Sequence, residues 1–168
     1  MYLKKSKRMS KSFKEPNGLS DVARFHETFN LPIEEKPIIP SEKRCELRVS
    51  LLQEELNELK EAIEDEDIVE VADALADIQY VLSGAILEFG LADKFADLFA
   101  EVQRSNMSKT CKTYQEAQDT QQYYLDKKGV TSHIEEKNGG YLVYRDGDKK
   151  VLKSVKYSPA DLKSIVEE

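Results

Sequence analysis

The sequence predicts an all-α fold, an antiparallel helical bundle, with a small β-hairpin or meander appended near the C-terminus. Three observations carry that reading. Residues 51–90 (LLQEELNELKEAIEDEDIVEVADALADIQYVLSGAILEFG) repeat apolar positions at helical spacing on both sides of one acidic break. Thr113 to Glu116 (TYQE) has the form of a capping box opening a further helix. Past Gly129 the pattern shortens to β-prone runs separated by Asn138-Gly139 and Asp146-Gly147, dipeptides suited to hairpin turns. The chain therefore divides into a basic flexible arm (1–18), an all-α domain (19–128), and a β-meander with a C-terminal tail (129–168).

Taken in order, the first 18 residues hold six Lys or Arg and little periodicity, as a disordered arm does. Asp21 to Asn30 predicts a short helix with Val22, Phe25 and Phe29 on one face. The following LPIEEKPIIPSEK carries three prolines, which a helix interior excludes, so it is an extended connection. Ser41 or Glu42 opens the first acidic helix, which closes at Asp65–Asp67. Leu51, Leu52, Leu56, Leu59, Ala62 and Ile63 form its apolar arc, with Arg48 and Glu55 inside it and Glu58 at its edge. The second helix is apolar almost all round, as a central buried helix is. Ile68, Val71, Leu75, Ile78, Leu82, Ile86 and Phe89 are its expected core face; Glu70, Asp73, Asp77 and Glu88 lie opposite. Asp93 is placed to cap a third long helix ending near Asn106. The TYQE helix runs to about Lys128, with Gly129 as its stop. TSHIEE, GYLVYR and KKVLKSVKY predict three strands, and Ser158-Pro159 a terminal helical turn.

Composition narrows the function classes. The chain has 168 residues, enough for a core, and a formal charge of −7 argues against a nucleic-acid surface. Cys45 and Cys111 lack CxxC spacing, which points to a reducing compartment. No apolar run reaches membrane-span length, and the basic start has no signal-peptide core behind it. The expectation is a cytoplasmic protein with no membrane and no nucleic-acid partner.

A carboxylate set among apolar neighbours is costly unless something neutralises it. Glu55 and Glu58 on the first helix, and Glu70, Asp73 and Asp77 on the second, gather more acid than the nearby bases can pair. A hard divalent cation with oxygen ligands resolves that conflict. Glu54, Glu61, Glu64, Asp65 and Glu66 read as solvated face or turn positions.

EELNE (54–58) followed by EVAD (70–73) resembles the ExxE…ExxD signature of the all-α nucleoside triphosphate pyrophosphohydrolases, a superfamily that includes MazG-like enzymes, phosphoribosyl-ATP pyrophosphohydrolases and dimeric dUTPases. The continuation ADALADIQYVLSGAILEFGL and EVQRSNMSK resembles the MazG-like branch, and the likeness covers about Phe25 to Lys109. It implies metal-dependent cleavage of a (d)NTP to (d)NMP and pyrophosphate, in nucleotide-pool house-cleaning. Glu55, Glu58, Glu70 and Asp73 are the implied Mg²⁺ ligands, with Mn²⁺ as a substitute ion. Asp77 offers a second register, Asp73 with Asp77. Glu54, which precedes the ligand in EExxE, is the implied water-orienting carboxylate beside Glu55. The resemblance also implies a homodimer or higher homo-oligomer, consistent with a second helix too apolar for one small bundle to cover.

The far end of a polyphosphate needs cations, and Arg104, Lys109 and Lys153 are the candidates, with Asn106 for sugar or phosphate. Arg48 is a candidate structural partner of the acids, His26 a core or surface histidine, Tyr80 core packing, and Tyr144 and Tyr157 possible covers for a base. Two other readings start from the same residues. A di-iron bundle needs Glu-x-x-His on two helices, and neither His26 nor His133 has it. A non-catalytic acidic scaffold or partner-binding bundle is the alternative from another class.

Overall fold

A computed structural model describes residues 11–168. Residues 1–10 of the expected basic arm lie outside the described residues. The chain forms two compact units, residues 14–96 and 97–165, with the last three residues counted with the first unit. The division falls at Ala96/Asp97, whereas the sequence places a boundary at 128/129. The reason is local: the helix before Gly129 packs on both strands that follow it, so it belongs with them.

In the 14–96 unit, α1 (Gly18–Thr28), α2 (Glu42–Glu64) and α3 (Ile68–Glu88) are the three helices. α2 and α3 pack antiparallel, as the pairing of Arg48 near the start of one with Glu88 at the end of the other shows. The turn between them is where the sequence placed it. Glu66 takes a positive φ of 55°, and Asp67 caps α3 by accepting from Val69 N (2.9 Å) and Glu70 N (3.2 Å). Such a cap stabilises a helix start by about 1 kcal/mol. Residues 31–40 stay extended and lie along the end of α3, where Glu34 N donates to Leu87 O and Ile38 N to Phe89 O. Gly90 makes that approach possible. Its φ is +64°, and a Cβ there would sit 1.9 Å from Lys36 O.

The expected core face of α3 is buried in part: Ile86 is buried and Val71, Ile78, Leu82 and Phe89 are half-buried, but its N-terminal members Ile68 and Leu75 are not. The buried residues of α3 are Ala74 and the run Ser83–Glu88, while Ile68 and Leu75 are 75% and 52% exposed. Gly84 lets the Arg48 guanidinium lie against the helix backbone; a Cβ at Gly84 would meet Arg48 Nη1 at 2.6 Å. Tyr80, expected in the core, is 40% exposed and meets Phe25 edge to face. On α2, Ala62 is buried and Leu51, Leu52 and Leu59 half-buried, but Leu56 and Ile63 are exposed.

The third helix begins differently from its expected cap. Asp93 lies inside a single 3₁₀ turn (Ala92–Lys94), and α4 follows at Phe95–Met107. In the 97–165 unit, α5 (Tyr114–Lys128) is capped by Thr113, whose hydroxyl accepts from Glu116 N at 3.1 Å. The reciprocal bond is displaced by one residue, with Glu116 Oε2 taking the N–H of Lys112. Gly129, left-handed at φ 61°, stops the helix. β1 (Ser132–Lys137) and β2 (Gly140–Arg145) form the hairpin around Asn138-Gly139, both at positive φ. Cys111, Ala117, Val143 and Leu152 are the buried core beneath it.

The expected third strand is reduced to one bridge, Tyr144 to Val151. Past Leu152 the backbone amides turn away from β2, and Ser154 N donates to Lys109 O. Val155 N donates to Thr120 Oγ1 and Lys156 N to Ser154 Oγ. The terminal helix α6 (Leu162–Glu167) starts beyond Ser158-Pro159, and Asp161 accepts from both Ser164 N and Ser164 Oγ at its first turn.

Candidate active site

The α2–α3 pair sets the site. Glu55 is half-buried on α2, and its Oε2 is buried with no hydrogen-bond partner. Burial pushes its carboxyl above the ordinary range, and Asp77, Glu58, Glu54 and Asp73 push it the same way. The antiparallel pairing explains the company: Glu54 and Glu58 flank Glu55 on α2, and Asp73 and Asp77 stand one turn apart on α3. Asp77 is half-buried; Glu54, Glu58 and Asp73 are exposed. Glu70 is exposed in the first turn of α3 and is not one of the four charges that act on Glu55.

An orphaned carboxylate oxygen pressed by four like charges fits a cation, and its hard oxygen donors fit Mg²⁺ or Mn²⁺. Among the described residues, no three Asp, Glu, His or Cys side chains are already gathered as a closed metal site.

Arg48 is not a partner of these acids. It is buried and donates through Nη2 to Glu88, which Arg44 also grips, with Arg44 Nε at 3.0 Å. Glu88 is 1% exposed. Burial alone would raise its carboxyl, but the hydrogen bonds from Arg48 and Arg44 outweigh burial and hold it below the ordinary range. His26 completes the knot, buried, with Nδ1 on Pro32 O at 2.8 Å and Nε2 3.2 Å from Arg48 Nη2. The carbonyl requires Nδ1–H to donate, which leaves Nε2 as the acceptor for the guanidinium. Glu88 thus leaves the acidic stripe in which the sequence placed it. Arg44 was missed; the available signal was its spacing of four from Arg48, which puts two guanidiniums on one helix face.

The candidate substrate cations belong to the 97–165 unit. Arg104 forms a two-point pair with Glu101 (2.7 and 2.8 Å) and donates to Pro159 O, and the pairing holds the half-buried Glu101 carboxyl at about 2. Lys109 Nζ donates to Asn106 Oδ1 at 2.7 Å, so two of the candidates bind each other. Lys153 Nζ lies 4.3 Å from the centre of the Tyr157 ring. A hydrogen bond with Ser105, then the nearby Lys153 and Lys109, lower the Tyr157 phenol. Tyr144 stacks on His133.

No curated protein gives a significant match to the chain. The sequence profile of the phosphoribosyl-ATP pyrophosphohydrolase family matches residues 22–106, half of its length. That span runs from α1 into α4 and contains all five acidic ligand candidates and the Arg44–Glu88–Arg48 knot. Lys109 and Lys153 lie outside it. The chain belongs to the phosphoribosyl-ATP pyrophosphohydrolase family, within the MazG-like all-α superfamily of pyrophosphohydrolases that act on acid anhydrides.

Proposed function

We propose that this protein cleaves nucleoside triphosphates to monophosphates and pyrophosphate with a divalent cation. The observation that supports this most is Glu55 Oε2, buried without a partner and within electrostatic reach of four further carboxylates. Glu55, Glu58, Glu70, Asp73 and Asp77 would hold Mg²⁺, or Mn²⁺ in its place. Such an ion, when bound, clamps phosphoryl oxygens and lowers the pKa of a coordinated water. Glu54 would orient the attacking water beside Glu55, and the two are the proposed catalytic carboxylates. Water oxygen joins phosphorus, the anhydride bond between α and β phosphates breaks, and pyrophosphate leaves. Arg104, Lys109 and Lys153, with Asn106, are the proposed phosphate and sugar contacts. The role is house-cleaning of the nucleotide pool in the cytoplasm; no single described helix is long and apolar enough to cross a membrane. A pyrophosphate-release screen over deoxy, ribo and damaged nucleotides tests the reading. Turnover with Mg²⁺ on at least one triphosphate, abolished by EDTA, is expected; release of phosphate and a diphosphate contradicts it.

A homodimer, or a higher homo-oligomer, is part of the proposal. Ile68, Val69 and Leu75 leave apolar surface on α3 at 75%, 70% and 52% exposure, more than isolated surface side chains require. A second copy covers that surface. Sedimentation at micromolar concentration should give at least twice the 19.2 kDa chain mass; a strictly monomeric species rules this out.

A further inference from the structure

We propose that the 97–165 unit carries a second ligand site, apart from the carboxylates, for a small molecule of the nucleoside monophosphate class. The site is the cavity between the 107–112 chain, the start of α5 and the Asn138-Gly139 turn. It measures about 590 Å³, and small-molecule sites commonly enclose about 300–1,000 Å³. Every described residue lining it lies past residue 106, where the family match ends, so the pyrophosphohydrolase reading assigns it nothing. Gly140 lets the hairpin close on the 107–112 chain, since a Cβ there would meet Thr110 Cγ2 at 2.9 Å. Gly139 is open instead. Nothing stands within 4 Å of where its Cβ would be, so a ligand can approach the peptide groups of the turn.

The charge of the lining selects the ligand. Lys112 ahead of α5, Lys137 at the end of β1 and Lys156 beyond Leu152 bring ammonium groups from three segments. Glu116 is the one acid among the described lining residues, and its oxygens are already taken. It is 4% exposed, its Oε1 accepts from Ser154 Oγ, and its Oε2 accepts from Lys112 N at 3.2 Å. Lys156 Nζ stands 3.9 Å from Glu116 Oε2, beyond hydrogen-bond reach. Lys137 Nζ is held by Glu135 and Tyr144, so Lys112 and Lys156 are the amines that would turn to a ligand. The cavity thus carries more positive than negative charge in a chain of net −7. Lysine binds phosphate as a point charge, and two such charges suit one phosphate dianion. The apolar part of the wall names the rest of the molecule. Leu142 is half-buried and Met107 is 60% exposed. A free phosphate or a sugar phosphate leaves that surface in water, whereas a base covers it and meets a thioether that favours aromatic rings.

Amide chemical shifts of Gly139 and Gly140, followed by two-dimensional NMR on the metal-free full chain, test this apart from catalysis. The probes are uridine and adenosine 5′-monophosphates, with uridine, ribose 5-phosphate and inorganic phosphate as part-ligands. At least one nucleotide should shift both amides saturably, and each part-ligand should bind about tenfold more weakly or worse. Lys112→Gln and Lys156→Gln, both at exposed positions, should each weaken the nucleotide by up to about tenfold. Glu55→Gln should leave it unchanged. Neither glycine shifting with either nucleotide at millimolar concentration would overturn the proposal. So would a part-ligand binding as tightly as the nucleotide, or both lysine variants binding like wild type. Loss of the shifts in Glu55→Gln would also overturn it, by placing the nucleotide at the carboxylates. Hydrolysis is not read in these titrations, so failure here leaves the proposed reaction standing, and failure of the reaction leaves this site standing.

Discussion

Neutralising Asp77, by Asp77→Asn, should abolish pyrophosphate release and at the same time raise the melting temperature of the metal-free protein. Loss of an outer-shell partner of a metal costs up to about 100-fold in activity, so loss of a ligand should cost at least that. The opposite sign on stability follows from Glu55. Asp77 is the largest of the four charges that hold its carboxyl up, ahead of Glu58, Glu54 and Asp73. Glu58→Gln and Asp73→Asn should therefore act in the same two directions, with less gain in apo stability. Glu70→Gln should lose activity with little change in apo melting, because Glu70 is not one of the charges pressing on Glu55. If Asp77→Asn, Glu58→Gln and Asp73→Asn all keep near-wild-type turnover, the site is wrongly placed. The pH dependence is also signed. A carboxyl whose folded pKa lies above its unfolded value binds its proton more readily in the native state. Metal-free protein should gain stability as pH falls through the raised Glu55 pKa toward 4.5, its unfolded value, and Glu55→Gln should not.

Glu88→Ala is expected to cost about 3–5 kcal/mol of stability, because it strands buried Arg48 without its carboxylate. Urea denaturation measures this, and a loss below about 1 kcal/mol would show that the knot is not what holds α2 to α3. Its pH signature is opposite to that of Glu55. The Glu88 carboxyl lies below 4.5 in the folded state, so its contribution is full above 4.5 and is lost as pH falls through the folded value. Acidification should first strengthen and then weaken the metal-free fold.

Features governed by neighbours in the chain were legible in the sequence. The acidic turn at Asp65–Asp67, the Thr113 cap, the Gly129 stop and the Asn138-Gly139 hairpin each depend on a few adjacent residues. Features decided by distant partners were not. α3 is apolar on most sides, so periodicity could not tell the face turned to α2 from the face left exposed at Ile68 and Leu75. Glu88 shares the helical stripe of Asp77, and only Arg44 and Arg48, some forty residues earlier, remove it from the acidic group. The third strand was lost to acceptors on Lys109, Thr120 and Ser154 that no strand pattern reveals. At the site itself, Glu55 inside an apolar arc was visible from spacing alone, and Asp77 entered as a second register. The register matters: Asp77 presses on Glu55 more strongly than Asp73 does.

The central claim is that these carboxylates gather around a divalent ion, and a Mn²⁺ titration followed by electron paramagnetic resonance tests it without relying on turnover. Wild-type protein should remove the free-ion signal and release it to excess Mg²⁺, while Glu55→Gln and Asp77→Asn should bind at least about tenfold more weakly. Mn²⁺ left free by the wild-type chain at millimolar protein, or bound equally by both variants, would contradict the account.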